Sequence, residues 1–247
     1  MVIGKAMGDF ILTSEEITNK LVKARPDLLF RSDAQGFLVG INEPETDQAP
    51  VLHVCIGSGQ VVFRHRAGLP EEWLRNITSR IEHVDANDEL SINELASALR
   101  HAACELGDAV QIESGPAFYI PRNALEIADV IEVSQENCAV LDAHFEYTRE
   151  HIEDLQPCTA RMIDGKAVAI CRTVRKGEYA LECGVDTVPQ YRMKGFGSQT
   201  VIAWANKVWA EGLVPCYSTQ WENKASLAMA GKLGMIRYAT DFSIACS

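Results

Sequence analysis

The sequence has no long apolar run. Lys5 and Asp9 interrupt the first twelve residues, MVIGKAMGDFIL, so this stretch lacks the continuous apolar core of a signal peptide. No later stretch reaches the length that crosses a membrane. We therefore expect a cytoplasmic protein without a membrane partner.

Closely spaced metal-binding residues are also missing. The eight cysteines are never closer than 12 residues apart, which leaves neither a CxxC pair nor the spacing of a zinc ribbon. The six histidines contain no HExxH or similar pattern. We expect no metal site, and we expect most of the cysteines to be buried, reduced thiols.

Basic residues are outnumbered by acidic ones. The chain has 23 Lys and Arg against 34 Asp and Glu, which gives a formal charge of −11. An acidic surface repels phosphate backbones, so we expect no nucleic-acid partner. The same charge would suit a cationic substrate such as an amine, although solubility alone explains it equally well.

The N-terminal half alternates helical and strand patterns. A capping box of Thr13 and Glu16 opens a helix that is predicted to end before Pro26. Two strand-like runs joined by glycines follow in VLHVCIGSGQVVFRH and predict a hairpin. Two more helices are predicted in PEEWLRNITSRIEHV and SINELASALRHAACELG, the second opened by a capping box of Ser91 and Glu94.

Two prolines mark a candidate domain boundary. Pro116 and Pro121 interrupt both periodicities in the stretch ESGPAFYIPRN. This predicts a smaller α/β domain over residues 1–120, of unclear function, and a second domain over residues 121–247. The first domain has elements that would permit a degenerate copy of the second fold, although the sequence shows no internal repeat.

The C-terminal half predicts a mixed α/β fold. From about residue 125 the patterns favour the order β-α-β-β-β-α-β-α-β-β, with a long helix in ENCAVLDAHFEYTREHIEDL. Asp164 and Gly165 form the strongest short hairpin signal. The tail, MIRYATDFSIA, is predicted to form two short strands.

A glycine-containing turn links one of these strands to a helix in the run VDTVPQYRMKGFGSQT. The first N–H groups of a helix have no backbone partner, and the helix dipole favours negative charge there. Arg192 and Lys194 add positive charge, Gly195 and Gly197 let a ligand approach the backbone, and Ser198 adds a hydroxyl. This combination favours a pyrophosphate site.

Other phosphate motifs fit this run poorly. The Walker pattern GxxxxGK[ST] is absent from the sequence. In GFGSQT, Thr200 stands where a dinucleotide fingerprint has its third glycine, and GSGQVV matches no better. A dinucleotide-binding enzyme and a simple tight turn remain alternatives at this point.

The stretch T-V-P-Q-Y-R-M-K-G-F-G resembles the cofactor motif of the GNAT superfamily, V-x-P-x-Y-R-x-K-G-x-G. The likeness continues in YSTQWENKASLAMAGKLGM, where Asn223 and the ending K-L-G-M resemble a second segment of the family. The resemblance covers roughly residues 125–247. It implies an N-acetyltransferase that takes acetyl-CoA as co-substrate and acetylates an amine of a small molecule or peptide.

The resemblance also assigns cofactor-binding residues. Val185 and Thr187 would pair their backbone with the pantetheine arm, on a strand that ends near Val188 and splays from its neighbour. Asn223 would hydrogen-bond the pantetheine region, although it also suits an ordinary N-cap. The pyrophosphate would be wrapped by Arg192, Met193, Lys194, Gly195, Phe196, Gly197 and Ser198.

The reaction needs a neutral amine, and an amine like that of lysine, with a pKa of about 10.4, is mostly protonated at neutral pH. A carboxylate whose pKa is raised by burial would remove the proton, and Glu182 is the first choice, with Asp186 second. An exposed position on the strand face is the alternative for Glu182. Cys183, beside it, is expected to be a structural thiol rather than a nucleophile.

The proton donor to the leaving thiolate is open. Ala230 stands where many members of the family carry a tyrosine, and Tyr217, Ser218, Ser226 or water are the remaining candidates. The departure at Ala230 also keeps a second function open, that of a non-catalytic acyl-CoA-binding sensor or scaffold.

Overall fold

A computed structural model of the chain describes residues 13–44, 48–107, 110–122 and 127–246. The helices of these residues are α1 (Ser14–Leu29), α2 (Glu71–Glu82), α3 (Glu89–Glu105), α4 (Glu146–Glu150), α5 (Phe196–Ala210) and α6 (Lys224–Lys232). The strands are β1 (Phe30–Ser32), β2 (Leu38–Ile41), β3 (Leu52–Gly57), β4 (Gln60–His65), β5 (Val110–Tyr119), β6 (Val130–Glu132), β7 (Cys158–Ile163), β8 (Lys166–Lys176), β9 (Ala180–Thr187), β10 (Val214–Ser218) and β11 (Ile236–Cys246).

Nine of the described strands form one sheet in the order β4-β3-β11-β5-β10-β9-β8-β7-β6. β9 and β10 run parallel, whereas the other neighbouring strands of this sheet pair antiparallel. β1 and β2 make a separate antiparallel ribbon. The predicted mixed α/β fold is therefore confirmed, with an N-terminal α/β region ahead of the C-terminal elements.

Helices cover both faces of the sheet. α1 packs with Ala180 and Cys216 on one face, and α5 and α6 pack with Cys183 and Tyr217 on the other. Since successive side chains of a strand point to opposite faces, Glu182 lies on the face that α1 covers. Five of the cysteines on the described residues are buried and unpaired, as expected.

The N-terminal elements correct two predicted helix ends. α1 has the capping box of Thr13 and Glu16 but continues through Pro26 to Leu29. Leu29 and its neighbour Leu28 are buried, and this burial outweighs the hydrogen bond that a proline removes from the helix.

The start of α3 also differs from the prediction. The helix begins at Glu89 because Asp88 accepts hydrogen bonds from the N–H groups of Leu90 and Ser91. Ser91 therefore lies in the first turn and instead accepts a hydrogen bond from Asp85. The predicted hairpin of β3 and β4 is confirmed.

The segment around the predicted domain boundary is a strand of the shared sheet. β5 includes Pro116 and lies between β10 and β11. β5 pairs with β10 only from Ala117 onward, so Pro116 lies where the ladder between β5 and β10 ends. Strands from both sides of the boundary thus belong to one sheet, and the division at residues 120 and 121 stays a prediction.

Two C-terminal predictions are wrong in detail. The long helix expected over residues 136–155 is a 3-10 turn, Cys138–Leu141, followed by the short α4. Phe145, between them, has a non-helical backbone, and the segment packs Leu141 and Ile152 onto β7 and β8 instead. The tail forms one strand, β11, which a register shift between Arg237 and Ala239 allows to continue across the sheet.

The other C-terminal elements follow the predicted order. Asp164 and Gly165 both have positive φ angles, 48° and 75°, at the turn between β7 and β8, which is the geometry of a two-residue hairpin. Part of the first predicted strand of this half, residues 123–126, lies outside the described residues. Among the described helices, none is both long and apolar enough to cross a membrane.

Candidate active site

The parallel strands β9 and β10 separate partway along their length. Their pairing runs from Val214 opposite Ala180 to Cys216 opposite Glu182. Beyond this point β9 continues to Thr187, still paired with β8, while β10 stays paired with β5 alone as far as Ser218. The edge of β9 that faces β10 therefore has no ladder partner, among the described residues, from Cys183 onward. The opening between the strands, hereafter the gap, has the form that the sequence resemblance implies.

A tight loop leads from the end of β9 into α5. A 3-10 turn over Pro189–Tyr191 is followed by Met193, which has a φ of 61° and is fully exposed, and by Gly195, with a φ of 82°, as the N-cap of α5. The left-handed conformation at Gly195 favours glycine. Arg192 Nε donates to the carbonyl oxygen of Thr187 at 3.2 Å, so the loop folds back onto the end of the strand.

The N-terminus of α5 lies against β9. A Cβ atom on Gly197 would stand 3.1 Å from Thr187 Oγ1 and 3.4 Å from Val185 Cγ1, so the close approach of helix and strand favours glycine at this position. Gly195, the N-cap residue of α5, has no side chain that could bond the first N–H groups of the helix. The N–H groups of Phe196, Gly197 and Ser198 thus begin the helix beside the gap, where they and the helix dipole would favour an anion.

Basic side chains surround this loop. Lys194 Nζ lies 5.1 Å from the centre of the Tyr191 ring, and Arg161 stacks at 5.1 Å over Phe196. Lys232, at the end of α6, brings its Nζ within 3.6 Å of the Cβ position at Gly195. Lys232 is the lysine of the K-L-G-M ending but was not among the predicted cofactor-binding residues.

Asn223 caps α6. Its side-chain oxygen accepts a hydrogen bond of 3.1 Å from the N–H of Ser226, and the residue is exposed. The ordinary N-cap interpretation is therefore confirmed. Contact with a pantetheine arm stays a prediction.

Glu182 lies at the mouth of the gap, in the last residue pair between β9 and β10. Its side chain is only 1% exposed and is bonded by Arg25, by Arg175 at 2.6 Å and by Ser218 at 3.0 Å. Burial alone would raise the pKa of Glu182, but the charges of the two arginines, with hydrogen bonds from Arg25 and Ser218, lower it to about 2. The expectation of a raised pKa is therefore wrong, as is that of an exposed strand-face carboxylate.

Asp186 lies on the same face of β9, nearer the strand's end. Its side chain is 54% exposed and pairs with Arg172 at 2.5 Å. Asp186 and Arg172 line a cavity of about 350 Å³, together with residues 144–148 around α4. The second choice of carboxylate thus lies on a different, more open part of the sheet from Glu182.

Residues 135–240 match the family model of the GNAT acetyltransferase domain. These residues form a GNAT acetyltransferase domain. Their sequence contains both motifs on which the resemblance rested, and the domain holds the gap, the loop and α5.

Solved structures similar to the chain are distant in sequence. An acetyltransferase of the GNAT family from Colwellia psychrerythraea is 14% identical, with a TM-score of 0.49, over 96% of this chain and 98% of that one. A GCN5-related N-acetyltransferase-like protein from Streptococcus suis 89/1591 is 18% identical, with a TM-score of 0.46, over 79% of this chain and 84% of that one. An aminoglycoside N-acetyltransferase in complex with CoA is 19% identical, with a TM-score of 0.35, over 43% of this chain and 90% of that one. No curated protein sequence matches the chain.

The GNAT domain departs from its family at the position of the usual tyrosine. Ala230 is buried among the side chains under α5 and α6. Of the other hydroxyls, Tyr217 is buried and bonded to Ser226, and burial raises the pKa of Tyr217 to about 12. Ser218 points to the opposite face, where it donates to Glu182. The candidate proton donors Tyr217 and Ser218 therefore lie on opposite faces of β10, Tyr217 on the α5 face and Ser218 on the α1 face.

A residue before the GNAT domain, Arg25, completes the surroundings of Glu182, and it was not among the residues predicted from the sequence. Arg25, on α1, is 1% exposed and bonds Asp241 of β11 as well as Glu182. A usable signal was present, because Arg25 follows Leu21 by four residues and precedes Leu28 by three, on the apolar side of the helix. A charged residue in such a stripe implies a buried partner.

Proposed function

We propose that the protein is an N-acetyltransferase that moves the acetyl group of acetyl-CoA to an amine of a small molecule or peptide. The observation that carries this proposal is the gap between β9 and β10, which opens directly before a glycine loop and the N-terminus of α5. The gap would hold the pantetheine arm, and the glycine loop with the N-terminus of α5 would hold the pyrophosphate. Their order along the chain suits one extended cofactor.

The pantetheine arm and the pyrophosphate of acetyl-CoA would contact different elements of the domain. The unpaired edge of β9 around Val185 and Thr187 would hydrogen-bond the pantetheine arm, with Asn223 nearby on α6. The first N–H groups of α5 would bind the pyrophosphate oxygens, with positive charge from the loop and from Lys232. Acetyl-CoA serves here as co-substrate, and its thioester would lie in the gap near Glu182.

The chemistry proposed is direct attack of the amine on the thioester carbonyl. Backbone N–H groups along the free edge of β9 would stabilise the oxyanion that forms. The attacking nitrogen becomes positively charged as its bond to carbon forms, and the ionised Glu182 beside the gap would stabilise that charge. The nitrogen then loses its proton to solvent water, the carbon–sulfur bond breaks, and the sulfur leaves as the thiolate of CoA.

A pKa of about 2 makes Glu182 a weak base, since a general base works best when its pKa lies near the working pH. We therefore assign Glu182 to the reaction as a fixed negative charge that also orients Ser218. Direct proton abstraction by Glu182 is the competing assignment. The two assignments of Glu182 predict different pH profiles of the rate.

The experiment that tests the cofactor assignment is a thermal melt with acetyl-CoA, NADH and ATP in parallel. A ligand at about 100 times its dissociation constant stabilises the folded state by about 2.7 kcal/mol, which moves the midpoint by roughly 5 to 10 °C for a chain of this size. We expect a shift with acetyl-CoA and none with NADH or ATP. A shift with NADH alone would contradict the assignment.

Glu182→Gln and Ser218→Ala test the role of the carboxylate in thiol-release assays. We expect Glu182→Gln to lower kcat by roughly tenfold or more, and Ser218→Ala to lower it less, because the serine carries no charge. Folding of each variant is checked by the melt with acetyl-CoA. If an acid limb of the rate between pH 5 and 8 disappears in Glu182→Gln, Glu182 acts as the base and our assignment is wrong.

A non-catalytic acyl-CoA-binding module is the second candidate, and Ala230 favours it because the buried alanine offers no hydroxyl to the leaving thiolate. Both candidates predict binding of acetyl-CoA. The enzyme alone predicts release of free thiol when an amine is added. Binding without thiol release across a wide panel of amines would favour the sensor or scaffold.

A further inference from the structure

β8 contains a bulge opposite the carboxylate at the mouth of the gap. Thr173 of β8 pairs with Cys183 of β9. Two residues later, Arg175 pairs with Glu182, which is only one residue away from Cys183 along β9. Val174 is therefore an extra residue in the ladder. A bulge of this kind changes the direction of the side chains that follow it, and bulges are frequent beside active sites.

The bulge brings Arg175 to the α1 face of the sheet. Side chains of a regular strand alternate between the two faces, and Thr173 lies on the α5 face, where it accepts a hydrogen bond from Trp204. Arg175, two residues later, would point to the same face in a regular strand. Instead it lies on the opposite face, where its Nη1 donates to Glu182 Oε1 at 2.6 Å. The extra residue thus turns the arginine onto Glu182.

Gly184 leaves room for the bulge. It lies on the same face of β9 as Glu182, and a Cβ atom there would stand 2.7 Å from Cγ1 of Val174. The side chain of Val174 is therefore on the α1 face, as is that of Arg175, and neighbouring side chains share a face only where the alternation of the strand is interrupted. A side chain at position 184 would displace Val174. The close contact thus ties the shape of the bulge to a glycine on the facing strand.

The two arginines that contact Glu182 differ in their surroundings. Arg25 bonds Oε2 of the carboxylate and is only 1% exposed. Arg175 bonds Oε1, the oxygen that also accepts the hydrogen bond of Ser218, and its side chain is 23% exposed. The Nη2 atom of Arg175 pairs with Glu43, in the loop after β2. Since Arg175 is partly exposed, its replacement should cost less stability than that of Arg25.

Glu182 acts as a fixed negative charge only while it stays ionised and held in one place. Burial favours its neutral form, and the charges of Arg25 and Arg175 outweigh burial, so that the pKa of Glu182 is lowered to about 2. A guanidinium group suits this task, because it stays protonated and its N–H groups have fixed directions. Arg25 contacts one oxygen only, which leaves the other to Arg175 and Ser218.

We infer that Arg175 is a positioning residue, which keeps the carboxylate of Glu182 ionised and fixed at the mouth of the gap, and that the bulge of Val174 against Gly184 places it there. The inference rests on the proposed function and adds a residue that affects the reaction through Glu182. Arg175 acts without contact with the cofactor or the amine. It belongs to the GNAT domain, whereas Arg25 comes from the part of the chain before it.

Arg172 provides a matched control. It also lies on β8 and on the α1 face, and it pairs at 2.5 Å with Asp186, a carboxylate of β9 that is 54% exposed. Other ionisable groups lie around Arg25 and Glu182 on β3, β10 and β11, and these are His53, Cys216, Tyr217, Tyr238 and Asp241. All of them are kept in both arginine variants. A difference between the variants therefore reports the arginine that was replaced.

The test follows the Glu182 carboxyl group directly, by NMR of protein with isotope-labelled glutamate carboxyl groups. The resonance that is missing from Glu182→Gln belongs to Glu182. Over the pH range in which each protein stays folded, its titration midpoint should rise by about one to three pH units in Arg175→Met and stay unchanged in Arg172→Met. Arg175→Lys keeps the positive charge, so it should raise the midpoint less.

Thiol release from acetyl-CoA with butylamine measures the effect on the reaction. Dividing the rate of a variant by that of the unsubstituted protein cancels the titration of the amine, which is the same in both. In Arg175→Met we expect kcat to fall roughly threefold to tenfold at neutral pH, with little change in the KM for acetyl-CoA. The ratio of rates should fall further as the pH approaches the midpoint of Glu182. In Arg172→Met the ratio should not depend on pH.

Gly184→Ala tests the bulge, and it serves in place of Arg175→Met if that variant does not fold. The added methyl group must displace Val174, and Arg175 with it, so the midpoint of Glu182 should rise. Val174→Ala in the same chain removes the clashing Cγ1 atom and should bring the midpoint back down.

The NMR titration separates this inference from the proposed function. An unchanged midpoint in Arg175→Met, or an equal rise in Arg172→Met, would overturn the inference and leave the proposed function standing. A raised midpoint with a ratio of rates that stays constant across it would also overturn the inference, because the charge of Glu182 would then not affect the reaction. If the midpoint rises as expected but acetyl-CoA does not shift the melt and no amine releases thiol, the proposed function fails, although Arg175 holds Glu182 ionised.

Discussion

Arg25 joins Glu182 to Asp241 across the sheet. Its Nη1 donates to Glu182 Oε2, and its Nε and Nη2 donate to Asp241 Oδ2 at 2.9 and 2.7 Å. The arginine lies on α1, and the two carboxylates lie on β9 and β11. A helix outside the GNAT domain thus supplies the counter-charge for the carboxylate at the mouth of the gap.

Replacement of Arg25 should destabilise the protein strongly. Arg25→Met leaves Glu182 and Asp241 near each other without their shared cation, and removing one partner of a buried ion pair costs about 3 to 5 kcal/mol. Urea unfolding measures the loss. Arg75→Met is the control, because the pair of Arg75 and Glu71 is exposed and should contribute less than about 1 kcal/mol. Equal losses in the two variants would show that the Arg25 contacts contribute little.

His53 should make the stability depend on pH. Burial, together with the charge of Arg25, holds its pKa at about 4 against an ordinary 6.5, although Asp241 and Glu182 act in the other direction and Arg175 also faces it. The unfolded chain therefore binds a proton first as the pH falls. The free energy of unfolding should fall between pH 6.5 and 4 by about 3 kcal/mol from this residue.

Urea unfolding at several pH values checks the contribution of His53, with His53→Gln as the comparison. Because the variant cannot titrate at this position, its stability should fall less steeply than that of the unsubstituted protein between pH 6.5 and 4. Carboxylates such as Glu182, with its pKa of about 2, lose their contribution at still lower pH in both proteins. Identical slopes above pH 4 would contradict the buried, neutral state of His53.

Gly197→Ala should weaken cofactor binding. The added methyl group would stand 3.1 Å from Thr187 Oγ1, so the Thr187 side chain or the start of α5 must shift by a few tenths of an ångström, and we expect the N–H groups at the start of α5 to shift with it. We expect the dissociation constant for acetyl-CoA to rise tenfold or more, as measured by calorimetry. Gly231→Ala is the control, since a Cβ there meets nothing within 4 Å and alanine favours a helix by about 0.5 to 1 kcal/mol. Unchanged binding in Gly197→Ala would remove the loop from the cofactor site.

Lys232→Ala should weaken acetyl-CoA binding as well, although this lysine was not among the residues predicted from the sequence. A charge-assisted hydrogen bond to phosphate contributes about 1.5 to 3 kcal/mol, so the dissociation constant should rise about tenfold or more. The effect should shrink as salt is added, because ions screen exposed charges. Lys166→Ala, at the exposed turn between β7 and β8, is the matched control. A similar small effect in both variants would show that Lys232 does not contact the cofactor.

Local signals in the sequence predicted the elements that depend on local chemistry. The capping box of Thr13 and Glu16, the turn at Asp164 and the glycine loop before α5 are all present. Each depends on residues within a few positions of one another. The hairpin of β3 and β4 was predicted for the same reason.

Long-range pairing decided what the sequence could not predict. The environment of Glu182 depends on Arg25, which is 157 residues away along the chain, and its pKa is lowered rather than raised for that reason. The course of α1 through Pro26 likewise depends on burial against distant strands. A cavity of about 630 Å³ on the α1 face of the sheet is lined by His53, Glu113 and Asp241, and it forms only because the separate strands β3, β5 and β11 meet in the sheet.

The position of β5 between β10 and β11 has a consequence for how the chain must be made. β11 pairs with β5 along nearly its whole length and with β3 on its other side, and it is the last described strand. During synthesis, the edges of β3 and β5 that pair with β11 therefore stay unpaired until the C-terminal residues have been made. A polypeptide severed after Ile120 would leave residues 121–247 with an empty place between β10 and β11. The two pieces should recover a native sheet only when they are mixed, in the manner of a split protein.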